Sequence, residues 1–459
     1  MEPMEPVRRR LKSSTTVKLL MIGFLILLFL IPLSMVDSLV RERAQRRAEA
    51  ASEVASTWGS RQVLGGPVLV VPYYQHGKDE KGKPTTWVSW ASFLPDTLKV
   101  EGRILPERRS RGIFESVVYR ADLRWTGAFK RPGFEEWRIA PEDVIWEDAY
   151  LTVGVPDMRG IRTALKLDWS GRELPLEPGG AEDGLWTSGL KVTQVPGLAE
   201  GKDGERYAFA FNLAVNGSEA LRILPLGKQT SVAIKSDWPD PKFTGAFLPE
   251  ERKISGTGFS ALWNVSYFGR SYPQQWRHEE AARVASAESV QASAFGVELF
   301  LPVDIYQKTE RSTKYGVLFL ILTFLTFFLY EVWNPFSLHP LQYLLVGAAL
   351  CLFYLLLLSI SEHAPFALAY LIAASATVLL IGGYSAAILR GRLRALVMTC
   401  VLGLLYGYLY VLLQLEDYAL LLGSVGLFAT LALVMYVTRK IDWSAPRRSA
   451  EVTAAVTNG

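Results

Sequence analysis

The side chains able to do chemistry in this chain are few, and they cluster around apolar runs. Glu331 closes one run, with Trp333 two positions on; Glu362 and His363 stand between two others; Glu416 and Asp417 stand between two more. Ionisable groups at membrane depth are costly and are usually kept for a path, a relay or a partner. These five residues are therefore the functional candidates. Two readings compete for them. Carboxylates at the ends of spans are ordinarily solvated caps, and Glu331 can sit among headgroups; alternatively they line a route for a translocated molecule. Gly403-Leu-Leu-Tyr-Gly407 has the GxxxG spacing that predicts close helix packing.

Familiar soluble-enzyme motifs fail on inspection. Gly77 to Pro84 has the spacing of a phosphate loop, but Pro84 stands where a Ser or Thr would hold magnesium. A charged hairpin turn is the better reading. Gly256-Thr-Gly258-Phe-Ser-Ala261 imitates a dinucleotide fingerprint, yet the residues after it read as a strand rather than a helix. The sequence has no Gly-x-Ser-x-Gly elbow and no His-Glu-x-x-His. The four histidines, His76, His278, His339 and His363, are scattered, and Cys351 and Cys400 both fall inside apolar runs. No disulfide, metal site or cofactor is expected.

The elements that must position the candidates follow from the distribution of charge and hydropathy. The chain has 459 residues, half of them hydrophobic, yet 20% are charged, so neither a wholly soluble enzyme nor a bare set of spans fits. Val17 to Val36 is long enough to cross a bilayer core of about 30 Å as a helix. Five further runs occupy about 316–333, 341–360, 365–389, 395–414 and 418–437. Arg8, Arg9, Arg10 and Lys12 precede the first run. Arg390, Arg392 and Arg394 lie between the fourth and fifth, and Arg439, Lys440, Arg447 and Arg448 follow the sixth. The loops around Glu362 and around Glu416 hold no Lys or Arg, so the positive-inside rule predicts six spans with both termini cytoplasmic. The first run is long for a signal peptide and no Ala-x-Ala site follows it, which favours a retained anchor.

Residues 37–314 are then exported. They hold 37 Lys+Arg and 37 Asp+Glu, a net of zero, and the remaining 12 and 8 supply the whole +4. A neutral domain has no basic face for nucleic acid. Val40, Ala44, Ala48, Ala51, Ala55 and Trp58 form one helical face, predicting a stalk over 37–58. Beyond it the period changes to two. Strands are predicted at Pro67–Tyr74, Trp87–Phe93, Val117–Trp125, Tyr150–Val155, Tyr207–Leu213, Thr230–Lys235 and Phe259–Tyr267. Glu279–Ala294 reads as helix and Phe295–Tyr306 as strand again. Ile104-Leu-Pro-Glu-Arg-Arg109 echoes Phe247-Leu-Pro-Glu-Glu-Arg252, a short match that raises the idea of duplication.

The expected fold is an α-helical bundle of six transmembrane helices with a large all-β, sandwich-like periplasmic domain. Its parts are a cytoplasmic N-terminus (1–16), an anchor (17–36), the stalk (37–58), the β domain (59–314), five spans (315–437) and a cytoplasmic tail (438–459). The chain resembles the CreD family of bacterial inner-membrane proteins along essentially its whole length. The resemblance is densest in Phe300-Leu-Pro-Val-Asp-Ile-Tyr306, His339-Pro-Leu-Gln342-Tyr343, Ser361-Glu362-His363, Leu405-Tyr-Gly-Tyr-Leu-Tyr410 and Arg439-Lys440-Ile-Asp442-Trp443. In the exported part Gly66-Pro67-Val-Leu-Val-Val-Pro72-Tyr73 and Ser236-Asp237-Trp238-Pro239 also match. That resemblance implies a role in cell-envelope integrity or stress response and no catalytic residues or cofactor. The matching blocks cover Glu362, His363, Glu416 and Asp417. The leading expectation is a non-enzymatic protein whose β domain meets an unidentified envelope protein or cell-wall component, with membrane lipid around its spans. A lipid or amphiphile transporter is the alternative, and an anchored hydrolase the least supported.

Overall fold

The computed structural model describes residues 15–79, 82–161, 164–180, 185–186, 188–299, 305–333, 338–388, 392–415 and 418–439. The chain divides into two units: Met1–Arg46 with Val303–Gly459, and Arg47–Pro302. One helix, α1 (Thr15–Trp58), runs through the predicted anchor and stalk without a break at Pro32 and is shared by both units.

The second unit is built from sixteen strands. The first eight are β1 (Gln62–Lys78), β2 (Pro84–Phe93), β3 (Thr97–Arg111), β4 (Phe114–Lys130), β5 (Tyr150–Gly154), β6 (Leu165–Trp169), β7 (Arg172–Pro178) and β8 (Gly189–Val192). The second eight are β9 (Arg206–Ser218), β10 (Ala220–Ile223), β11 (Gln229–Ser236), β12 (Pro241–Gly245), β13 (Glu251–Ser255), β14 (Gly258–Ser266), β15 (Gln275–Arg277) and β16 (Phe295–Leu299). They join into one barrel-like sheet in the order β12-β16-β10-β1-β5-β8-β7-β6-β9-β4-β3-β11-β14-β13, with β2 on β1 and β15 on β2.

Strict alternation builds the shell. In β9, Tyr207, Phe209, Phe211 and Leu213 are buried while the residues between them are exposed or half-buried, the period-2 pattern of a half-buried strand. Cross-strand register then brings aromatics together. Trp125 sits opposite Phe211 and stacks on it at 5.7 Å; Trp169 stacks on Tyr207 at 5.5 Å. Parallel pairings of β1 with β10 and of β3 with β11 link strands more than 100 residues apart. No turn chemistry could announce them.

The structure corrects several expectations. Strand β16 covers Phe295–Leu299 and Ile305–Lys314 is helix, so the strand predicted over Phe295–Tyr306 runs into a helix, with 300–304 outside the described residues. That helix also groups with the bundle, not with the β unit. The two echoing hexapeptides occupy unlike places, one wholly inside β3 and one running from the preceding turn into the start of β13. The two tempting glycine motifs fall where antiparallel neighbours join, one between the paired ends of β1 and β2 and the other running from the β13–β14 turn into β14.

Where α1 ends, the β unit grips it. The Arg159 guanidinium donates to Ser56 O at 2.6 Å, Arg109 stacks over Trp58 at 3.9 Å, and Trp58 Nε1 donates to Tyr119 O at 3.2 Å. Buried Asp157 accepts from Ser60 N and from Arg159 Nε and Nη2, each at 2.9 Å. Arg159 first, then the Ser60 N–H, hold its carboxyl down to about 2 against burial, which works the other way. A depressed carboxylate stabilises fully above its unfolded value near 4, and that contribution is lost as pH falls towards 2. Asp157→Asn is therefore expected to remove about 1–2 kcal/mol at neutral pH, discounted because Arg159 is exposed. It should also flatten the stability profile between pH 4 and 2, read by tryptophan fluorescence during acid titration.

In the first unit the remaining helices begin after two short ones of the β unit, α2 (His278–Val284) and α3 (Ala287–Ala292). They are α4 (Ile305–Lys314), α5 (Gly316–Trp333), α6 (Pro340–Ser361), α7 (Phe366–Ile388), α8 (Arg392–Gln414) and α9 (Ala419–Thr438). By length and composition five helices can cross a membrane: α1, α6, α7, α8 and α9. A sixth is added if α4 and α5, bent by 44°, form one span. Leu420 is 86% and Phe428 74% exposed on α9. Such an apolar surface is a heavy liability in water and none in hydrocarbon.

Candidate functional site

Glu331 lies in the last turn of α5 and is 2% exposed, covered by protein side chains. Two other helices reach it. Lys18 of α1 forms an ion pair with it, and the Tyr343 hydroxyl of α6 donates to it at 3.2 Å. The local sequence prepares this arrangement. His339 caps α6 in a capping box with Gln342, setting the helix start one turn ahead of Tyr343. Phe324 and Phe327 pack edge-on against the Tyr343 ring at 5.6 and 6.3 Å. An ionised carboxylate in such surroundings is tenable only with a counter-charge and a hydrogen bond, and here it has both.

The other end of the bundle carries the second group. Glu362, with a side chain 9% exposed, accepts from the Tyr306 hydroxyl of α4 at 3.1 Å and lies 3.8 Å from Arg43 of α1. Asp37 accepts from Thr313 at 3.2 Å and pairs with Arg41 at 2.7 Å, while Glu310 pairs with Lys314 at 3.1 Å. His363 does not join Glu362. It is exposed, with Nδ1 3.2 Å from Ser359 O. Glu416 and Asp417 lie outside the described residues.

Gly403 and Gly407 are not in a tight helix contact. A Cβ added at either would meet nothing within 4 Å. Both form the floor of an open-sided groove of about 690 Å³ between α7 and α8. Its back wall is rigid: the Tyr370 hydroxyl donates to Tyr406 O at 2.6 Å, and Tyr370 packs on Tyr410 at 5.2 Å. Close approaches fall elsewhere, at Gly347 of α6, where a Cβ would collide with the Phe29 ring of α1, and at Gly382 of α7, where it would collide with Thr399 of α8.

The residues missed from sequence are Lys18, Tyr343, Arg43 and Tyr306. A usable signal existed for Lys18. It opens the first span and Glu331 closes the second, so antiparallel spans bring both to one membrane end.

In the β unit the nearest thing to a nucleophile and base is Thr86, His76 and Asp143. Thr86 Oγ1 lies 2.8 Å from His76 Nδ1, and His76 Nε2 lies 2.9 Å from Asp143 Oδ1. The setting is wrong for acyl transfer, which needs sheltered donors aimed at a developing oxyanion. His76 and Thr86 are cross-strand neighbours on the exposed end of the β1–β2 ribbon, with the His76 side chain 61% exposed. They pin the short Pro141–Asp143 turn to the ribbon. Among the described residues no three His, Cys, Asp or Glu side chains converge to hold a metal.

Known proteins resemble this chain in both of its units. The profile described as inner membrane protein CreD matches residues 14–444. Inner membrane protein CreD of Escherichia coli (strain K12) is 34% identical over 443 residues, covering 95% of each chain. A crystal structure from Legionella pneumophila, described as a candidate nutrient-binding protein, aligns over 46% of this chain and 72% of its own. It has 9% identity and a TM-score of 0.22, and carries no weight for fold or ligand.

Proposed function

The chain belongs to the CreD family, and from that premise we propose that it is a non-enzymatic, multi-pass inner-membrane protein that supports cell-envelope integrity under stress. On this reading both termini are cytoplasmic, residues 37–314 are periplasmic, and the β unit meets an envelope protein or cell-wall component. The observation that carries the reading is that the family match spans both units, not the helices alone. The distribution of Arg8–Arg10, Arg390–Arg394 and Arg439 supports the orientation.

The β1–β2 ribbon is the part of the β unit best suited to a partner. Tyr74, Trp87 and Val88, all large side chains, are each 40–44% exposed on it. Aromatic anchors of this kind carry much of the energy of interfaces.

Deleting the gene is expected to sensitise cells to detergent and envelope-directed antibiotics, with wild-type chain restoring resistance. The double variant Tyr74→Ala/Trp87→Ala should accumulate normally yet restore it poorly. Unchanged sensitivity on deletion sinks the envelope role. Loss of rescue by Thr86→Ala alone, with normal accumulation, would instead favour a hydrolase. The transporter alternative loses its motivation at Glu331, which is buried and paired with Lys18 and not set on an open path.

A further inference from the structure

We propose that the groove between α7 and α8 binds one phospholipid, its acyl chain along the glycine floor and its phosphate against Lys308. Three observations carry this. First, the dimensions fit a lipid tail. The groove lining runs along α7 from Ala367 to Val378, about 16 Å of helix, which is about half of a ~30 Å hydrocarbon core. It thus reaches the depth of one leaflet and stops. Its volume of about 690 Å³ lies inside the range of small-molecule sites.

Second, the floor is held open. Gly403 and Gly407 leave space where any larger residue would put atoms, while the buried Tyr370–Tyr406 bond fixes the wall behind. Third, the mouth carries a cation. Lys308 Nζ stands 5.8 Å above the ring of Phe366, the residue before Ala367 at the groove's end. Lys308 is half-buried, and no carboxylate among the described residues pairs with it. A cation there complements a lipid phosphate.

The chief rival is a helix from a second copy, since GxxxG faces favour dimers. Leu371 and Leu404, 62% and 74% exposed, flank the floor. Side chains of that size hinder the close backbone approach that such a dimer needs. The inference rests on the helices lying in the membrane and is independent of the envelope role. On the topology proposed above, the site belongs to the outer leaflet.

The test uses the full chain in bilayer nanodiscs with phosphatidylglycerol carrying a photoreactive group in one acyl chain. Crosslinks are expected to concentrate on residues 367–378 and 403–410. Gly403→Leu/Gly407→Leu should abolish them without lowering the melting temperature, since both side chains grow into open space. Ser375→Phe fills the groove from the opposite helix and should act alike if the glycine variant does not accumulate. Lys308→Gln should reduce crosslinking about five-fold, the worth of one lysine near an anionic group. Crosslinks spread evenly over the bundle and unchanged in these variants overturn the proposal. So does a wild-type dimer that the same variants dissociate.

Discussion

Replacing Glu331 by alanine is expected to destabilise the helical unit by about 3–5 kcal/mol, the usual cost of stranding one partner of a buried ion pair. Lys18 would keep its charge at 18% exposure with its counter-ion gone, and the Tyr343 hydroxyl would lose its acceptor. The loss of an acceptor from a buried donor adds to the damage. Lys18→Met alone should cost a similar amount, because it leaves the carboxylate buried and uncompensated. The double variant Lys18→Met/Glu331→Leu is the informative one. It removes both charges together and should recover most of the loss, since apolar replacements of buried pairs are often close to neutral. Melting of the full chain in detergent gives the four corners of the cycle. Additive losses would mean that the two side chains do not act as a pair.

Trp125→Ala should be the most damaging single change in the β unit, at about 3–5 kcal/mol for an aromatic truncated to alanine in a packed core. The side chain is fully buried and stacks on Phe211, and Phe211 in turn lies opposite Leu167 on the next strand. The cavity would therefore open where β4, β9 and β6 meet. Trp125→Phe provides the control. Trp125 Nε1 has no hydrogen-bond partner among the described residues, so its removal relieves an unsatisfied donor while the phenyl ring keeps much of the stack. That variant should lose well under half as much as alanine. If both cost the same in chemical denaturation of the full chain, the stack with Phe211 contributes little and the cavity argument fails.

Much of the fold was legible because local periodicity reports which face of an element is apolar. The spans near Pro340–Ser361 and Phe366–Ile388 and strand β14 stood in the sequence within one residue of their observed ends, while β4 and β9 were recognised but run five residues further than expected. β3 was missed although Leu98, Val100 and Ile104 alternate in it. The charged run Glu107 to Arg111 hides its second half, although that half pairs with buried Val117 and Val118 of β4. The boundary near Leu299 was missed because apolar residues continue into Ile305 and Tyr306 while the structure changes from sheet to helix.

The candidate site was only half legible. Sequence identified Glu331 and Glu362 as costly groups, but periodicity cannot say what meets them. Lys18 stands 313 positions from Glu331, and Arg43 more than 300 from Glu362. The same limit explains the glycines. Gly403 and Gly407 have the spacing of a packing face and stand open, whereas unremarked Gly347 lies under Phe29. By itself the sequence determined the number of apolar runs, their length, the change from helical to strand period and the charge balance of the exported part. All of these depend on residues close together in the chain. Tertiary structure alone decided which helix carries the counter-ion, which strands are neighbours in the sheet and which small residue touches a neighbour. Those depend on pairings between distant segments, and no local pattern encodes the partner.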